Sequence, residues 1–83
     1  MHLEILTPEK TFYSGEVDSV TLPGTLGSFQ ILKNHAPLIA SLKKGILSFK
    51  TEGHLKALEV TDGFVEVNNN RITVLIEAIK GKH

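Results

Sequence analysis

Any chemistry in this sequence would have to start from its 4 histidines, its 9 carboxylates or one short glycine-containing run. The histidines are His2, His35, His54 and His83. No two stand at metal-ligand spacing, and no His-x-x-x-His occurs on a plausible helix. Site chemistry needs a converging cluster, so each reads as a surface or structural residue, with His83 at the chain end. Among the carboxylates, Glu16 and Asp18 share one parity of an extended stretch. A paired acid and base would need burial to separate their pKa values, and strand carboxylates facing lysines belong to a solvated face. Ser14 and Ser28 lack a Gly-x-Ser-x-Gly context. The run Gly24-Thr25-Leu26-Gly27 lacks the Lys-Ser/Thr of a phosphate loop and is followed by no helix, so it reads as a turn. The chain has no cysteine, which excludes disulfides, thiol catalysis and cysteine-based zinc sites. The expectation is a chain with no catalytic, cofactor-binding or metal-ligating residues.

The elements that would carry such residues are short. The 83 residues suffice for one domain, expected to span 1–83. A domain of this size buries only about 60% of the surface its unfolded chain would expose. Hydrophobic residues make up 41%, enough for a core. Lys plus Arg and Asp plus Glu each total 9, for a formal net charge of zero. Phosphate binding needs a basic surplus, so nucleic acid is not the expected partner. Near-zero charge favours a chain that hides surface in an assembly. No apolar run approaches the ~20 residues needed to span a bilayer. The start Met1-His2-Leu3-Glu4 lacks a charged region followed by an apolar stretch, so no signal peptide is expected.

The dominant period is two. Leu3 and Ile5, Val20 and Leu22, Val65 and Val67, and Ile72, Val74 and Ile76 all alternate with other residues, as in half-buried strands. Turn signals fall at residues 7–10, 23–27, 33–37, 43–45, 51–53, 62–63 and 68–70. Strands are predicted at 2–6, 11–22, 28–32, 38–42, 46–50, 54–61, 64–67 and 71–77, with no helix. Many short strands with frequent turns give an all-β sandwich or barrel. Val17 and Val20 lie on opposite parities, as do Ala57 and Leu58, which predicts a bulge or strong twist at each. Residues 38–42 are apolar on both parities, so both faces of that strand should be covered.

An ordered series of motifs adds a resemblance that covers nearly the whole chain. Ser14-Gly15-Glu16-Val17 is followed by residues 17–27, by Phe29-Gln30-Ile31-Leu32, by His35-Ala36-Pro37-Leu38, and by Leu42-Lys43-Lys44-Gly45-Ile46-Leu47. A late Gly63-Phe64-Val65-Glu66-Val67 precedes a turn and the strand Ile72 to Leu75. Taken together, the sequence resembles the N-terminal β-sandwich domain of the ATP synthase ε subunit, called δ in mitochondria. Asn34 departs from that pattern, standing where the family has glycine before His-Ala-Pro-Leu.

The resemblance implies a flattened antiparallel β-sandwich of about eight to ten short strands. It implies a non-catalytic central-stalk subunit that links the γ subunit to the membrane c-ring and couples proton translocation to ATP synthesis, without a cofactor. The implied γ contacts are Thr7, His35, Leu38, Ala40 and Leu42, with the side of residues 38, 40 and 42 turned to γ. The implied c-ring contacts are Leu26, Gly27, Ser28 and Phe29, with His35 close by. Many relatives carry an acid where this chain has Ser28, so contact there should rest on hydrogen bonds and be less sensitive to salt than an ion pair. The implied location is peripheral, on the cytoplasmic face of the bacterial inner membrane, through the complex alone. The family's C-terminal helical hairpin has no counterpart in this sequence, so neither tight ATP binding nor tail-mediated inhibition is expected of it. The competing expectation is a free-standing β-sandwich that recruits a peptide by strand addition. A generic adaptor has no reason to carry the ordered series from Ser14 to Leu47.

Overall fold

The computed structural model describes residues 1–80; His83, and the last residues of the expected 1–83 domain, lie outside the described residues. Ten strands and no helix are formed among them. In chain order they are β1 (His2–Leu6), β2 (Thr11–Glu16), β3 (Ser19–Gly24), β4 (Gly27–Leu32), β5 (Leu38–Leu42), β6 (Gly45–Thr51), β7 (His54–Val60), β8 (Gly63–Asn68), β9 (Arg71–Ile76) and β10 (Ile79–Lys80). The principal extents are 29 × 27 × 22 Å, so the flattening is slight.

The strands follow one hydrogen-bonded path, β10-β7-β6-β3-β5-β8-β9-β1-β2, with β4 on the remaining edge of β3. The path folds back on itself at β3. Residues 19–21 of β3 pair with β6, whereas Gly24 pairs with Leu42 of β5. One strand thus belongs to two layers, β4-β3-β6-β7-β10 and β5-β8-β9-β1-β2, which pack inner face to inner face. Every pairing is antiparallel except β1 with β9, which is parallel. The expected antiparallel β-sandwich thus carries one parallel pair. The reason is topological: β1, the first strand, is inserted between β9 and β2.

The core is what the period-two pattern predicts. Leu3 and Ile5, Val20 and Leu22, Val65 and Val67, and Ile72, Val74 and Ile76 are all buried. Ile31, Leu42, Leu47, Phe49 and Val60 complete it from the other strands. Tyr13 of β2 packs against Phe49 of β6 with ring centroids 4.6 Å apart and the rings tilted by 42°, joining the two layers. No polar or charged residue is buried among the described residues, so the interior offers no group whose pKa burial could shift.

Two parity breaks have different causes from those expected. The predicted strand 11–22 is two strands. The chain leaves β1 after Glu16 and joins β4 and β6 from Ser19, so Val17 and Val20 lie on separate strands and need no bulge. At residues 57 and 58 the β6–β7 register is regular, with Leu58 packed on the core and Ala57 exposed. The irregularity in the sheet falls instead at Phe12, skipped between the pairs Ile5–Tyr13 and Leu6–Thr11. The hairpin turns at Glu52-Gly53 and Asn69-Asn70 have positive φ at both central residues, the geometry that matches strand twist. Gly63 permits a close approach: a Cβ there would run into the Leu75 carbonyl and the Ile76 backbone.

Candidate functional site

Alternation fixes which side chains the second layer turns outward. Along β8 these are Phe64, Glu66 and Asn68. Register places Ser41 and Leu75 beside Phe64, with Leu6 beyond Leu75. The next row is Ile39, Glu66, Thr73 and Glu4; the last is Asn68, Arg71, His2 and Glu16. One end of this face is therefore apolar and the other polar. Phe64 is 58% exposed, Leu75 51% and Ile39 76%, with Phe64 and Leu75 directly paired and Ile39 in the next row. Thr7 adjoins the apolar end, lining the same shallow groove as Leu6, Phe64 and Leu75.

The polar end is organised around Glu16. Its carboxylate accepts from the N-terminal ammonium at 3.1 Å and lies 3.6 Å from the Nδ1 atom of His2. The ammonium, followed by His2, holds the Glu16 carboxyl below its ordinary value. Ser14 Oγ is 3.1 Å from the other ring nitrogen of His2. Glu16 is exposed, and its pair with the ammonium is a surface ion pair with His2 alongside. Asp18, expected on the same face as Glu16, lies in the crossing between β2 and β3 instead.

The outward residues of β5 correct one expectation. The side formed by Leu38, Ala40 and Leu42 faces inward: Leu42 is 2% exposed, and Leu38 and Ala40 pack against the core. The open side is Ile39 and Ser41. β5 is the strand that closes the second layer onto β3, so its even-numbered residues are needed inside.

The β3–β4 hairpin forms a second feature. Gly24 pairs with Gly27 across the two-residue tip Thr25-Leu26. Leu26 is fully exposed, at 103%. Ser28 is exposed and Phe29 half-buried behind the tip. The tip is pinned to β5: Thr25 N donates to the Ser41 carbonyl at 3.1 Å, and the two hydroxyls lie 2.6 Å apart. Lys43 N donates to the Pro23 carbonyl at 2.8 Å. His35 is not beside this tip. Its backbone N donates to the Leu32 carbonyl, at the opposite end of β4, roughly 17 Å along the strand from Gly27. This corrects the expectation that the two lie together; strand β4 is what separates them.

The 33–37 loop is held by a clasp that no sequence signal announced. Asn34 N donates to Asn70 Oδ1 at 2.7 Å, and Asn70 Nδ2 donates to Asn34 Oδ1 at 3.0 Å. Both residues have positive φ, 66° and 60°, which asparagine tolerates better than other side chains do. That accounts for Asn34 at a glycine position. The partner, 36 residues away, could be found only in three dimensions.

Among the described residues no group of three or more His, Asp or Glu could hold a metal ion, and no helix is long and apolar enough to cross a membrane. The fold and this surface define a small β-sandwich domain, with an apolar end on one outer face and a projecting hairpin tip.

Residues 1–82 match the family model of the ATP synthase Delta/Epsilon chain β-sandwich domain, and the chain belongs to that family. It is 47% identical over 77 residues to an ATP synthase epsilon chain of Leptospira interrogans, covering 93% of this chain and 61% of that protein. It is 51% identical over 79 residues to that of Symbiobacterium thermophilum, covering 94% of this chain and 57% of that protein. The chain thus spans about six-tenths of the length of the curated relatives it matches. The fold also matches a chain in the cryo-EM structure of the Euglena gracilis mitochondrial ATP synthase OSCP/F1/c-ring, with a TM-score of 0.87 at 21% identity, covering 94% of this chain and 51% of that one. A chain of the Tetrahymena thermophila mitochondrial ATP synthase central stalk and c-ring matches with a TM-score of 0.83 at 17% identity, covering 96% of this chain and 65% of that one. At these identities the two structures establish the likeness of fold.

Proposed function

We propose that this chain is the β-sandwich part of a non-catalytic rotor subunit of ATP synthase, linking a γ subunit to the c-ring and coupling proton translocation to ATP synthesis. The observation that carries the reading is the apolar end of the β5-β8-β9-β1 outer face. Phe64 and Leu75 are paired and exposed there, with exposed Ile39 in the next row. Two findings support it: the relatives are ATP synthase epsilon chains, and the fold neighbours come from assemblies whose descriptions include the c-ring or central stalk.

In this reading γ covers Ile39, Phe64, Leu75 and Thr7; His35, beside the β8–β9 turn at the other end of the layer, would be a separate γ contact. Ala40 and Leu38 support the patch from beneath. The tip Leu26 to Phe29 meets the polar loops of the c-ring. Leu26 supplies the apolar contact, and Ser28 supplies hydrogen bonds where an acid would supply charge. The two contact regions are held at a fixed spacing because Thr25 and Ser41 tie the tip to β5. That rigidity suits a part that transmits torque. The domain is then peripheral on the cytoplasmic face of the bacterial inner membrane, held there by the complex.

Copurification from solubilised membranes tests the reading. Tagged chain should bring down γ and c subunits, and Phe64→Asp should lose γ while remaining folded. Cysteine at position 28 should crosslink to a cysteine in the c-subunit polar loop. Failure of the wild-type chain to recover either subunit would overturn the reading.

A further inference from the structure

The first layer ends on β4, which bonds to β3 alone among the described residues. Which of its backbone groups are left over follows from the hairpin. Thr25 N donates to the Ser41 carbonyl and Lys43 N to the Pro23 carbonyl, flanking the Gly24–Leu42 pair. Gly24 therefore turns its own N–H and carbonyl away from β5 and toward β4. Hydrogen-bonded pairs alternate along an antiparallel ladder, so Gly24–Gly27, Leu22–Phe29 and Val20–Ile31 are the bonded ones. The N–H and carbonyl groups of Ser28 and Gln30 then point out of the sheet edge, and no other strand among the described residues takes them. The Leu32 carbonyl points the same way but already accepts from His35 N at 3.1 Å.

Proteins blunt free edges with charge, proline, a bulge or shortness. The two ends of the strand path conform: β2 skips Phe12 and ends on Glu16, and β10 has 2 residues. By contrast, β4 runs for 6 residues in unbroken register, with no charge and no proline. The spacing of its outward side chains says what fits there. Exposed Leu26 and Leu32 stand equidistant from Phe29, with exposed Ser28 and Gln30 between them. A two-fold axis beside Phe29 lays this strand antiparallel on a second copy of itself. Ser28 of one copy then faces Gln30 of the other, and Leu32 faces Leu26. Phe29 faces its own counterpart, an aromatic cross-strand pair. Both Ser28–Gln30 pairs fall where the free N–H and carbonyl groups can be exchanged. No like charges meet along the strand, and a net charge of zero gives the two copies no overall repulsion.

We propose that the β4 edge is a self-recognition surface: two copies of this chain pair β4 to β4, antiparallel about Phe29, in a symmetric dimer with a continuous sheet across it. The inference is independent of the functional reading above. It bears on that reading in one respect, since the dimer covers Leu26 to Phe29 and withholds the hairpin tip from any other partner.

Sedimentation equilibrium of the chain at concentrations up to about 1 mM tests the proposal, because a short strand pairing is a weak interface. The wild-type chain should approach twice the monomer mass and go no further, because the two-fold uses the edge of both copies. Ser28→Lys with Gln30→Lys sets lysine opposite lysine at both paired positions, and should raise the dimer dissociation constant about tenfold or more. Ser28→Lys with Gln30→Glu sets lysine opposite glutamate at the same positions, and should recover most of that loss. Both sites are exposed, so dilute samples of all three chains should melt at closely similar temperatures. A wild-type chain that stays monomeric throughout overturns the proposal and leaves the edge to a strand of another protein. Growth beyond a dimer overturns it as well, as does a double-lysine variant that dimerises like wild type. A lysine–glutamate variant no better than the double-lysine one overturns the pairing about Phe29.

Discussion

The outer face of the second layer is one sheet with two characters. At the end bearing Phe64, Leu75 and Leu6, the outward side chains are apolar; at the end bearing Asn68, Arg71, His2 and Glu16, they are polar or charged. The inward residues of the same strands do not differ in this way. Val65 and Val67, Val74 and Ile72, and Ile5 and Leu3 are aliphatic at both ends and buried throughout. Core packing therefore constrains the two ends equally, and the contrast outside is not a by-product of folding. A sheet needs one covered face to be stable, so core packing does not account for the apolar outer end.

The sharpest test of that contrast sets the two sides of β5 against each other. Leu42→Ala should cost about 2–5 kcal/mol, as for truncation of a buried leucine, and should show as a large drop in the urea midpoint. Ile39→Ala, on the open side of the same strand, should change stability by less than about 0.5 kcal/mol. Comparable losses from both would erase the distinction between core side and contact side.

Gly63→Ala tests the seam beneath Phe64. The added methyl meets the Leu75 carbonyl and lies 2.9 Å from the Ile76 Cα, so β8 or β9 must shift. Overpacking of this kind costs about 1–3 kcal/mol, and a thermal melt should register it. An unchanged melting temperature would mean that the two strands can separate freely at the apolar end.

Outside the core, Phe64→Ser touches the apolar end of the face, whereas Glu66→Ser touches the middle row. Phe64→Ser should leave stability within about 1 kcal/mol yet weaken capture of γ more than tenfold, the behaviour of an interface anchor. Glu66→Ser should do neither. Titration of γ against both variants distinguishes them, and equal affinities would remove the apolar end as the docking surface.

The smallest effect belongs to the polar end. The Glu16 carboxyl is held below its ordinary value by the N-terminal ammonium and His2. A depressed folded-state pKa contributes stability above the unfolded value of 4.5 that is lost as pH falls through the lower folded-state value. Glu16→Gln should therefore flatten the stability–pH profile below about pH 4.5: the two chains should differ most at neutral pH, by a small amount because the pair is exposed, converge in acid, and differ less in added salt. A steeper acid profile in Glu16→Gln than in the parent chain would contradict this assignment.

The sequence by itself determined the all-β class, the number of strands to within two, most of their boundaries and the core residues of β1, β3, β8 and β9. The physical reason is that strand periodicity is local: an inward side chain at one position dictates the next but one. The ordered motifs determined the family for the same reason, since motif order survives in the linear chain. What the sequence left open was every relation between distant segments. The division of residues 11–22 into β2 and β3 reflects a change of partner strand, which parity alone could only register as an irregularity. The parallel β1–β9 pairing, the Asn34–Asn70 clasp and the Glu16–ammonium pair each join residues that only the closed sheet brings together. The same holds for β5, where both parities are apolar. Two apolar faces have no inside until a second layer chooses one, and the pairing of Leu42 with Gly24 made that choice, turning Leu38, Ala40 and Leu42 toward the core and leaving Ile39 outside.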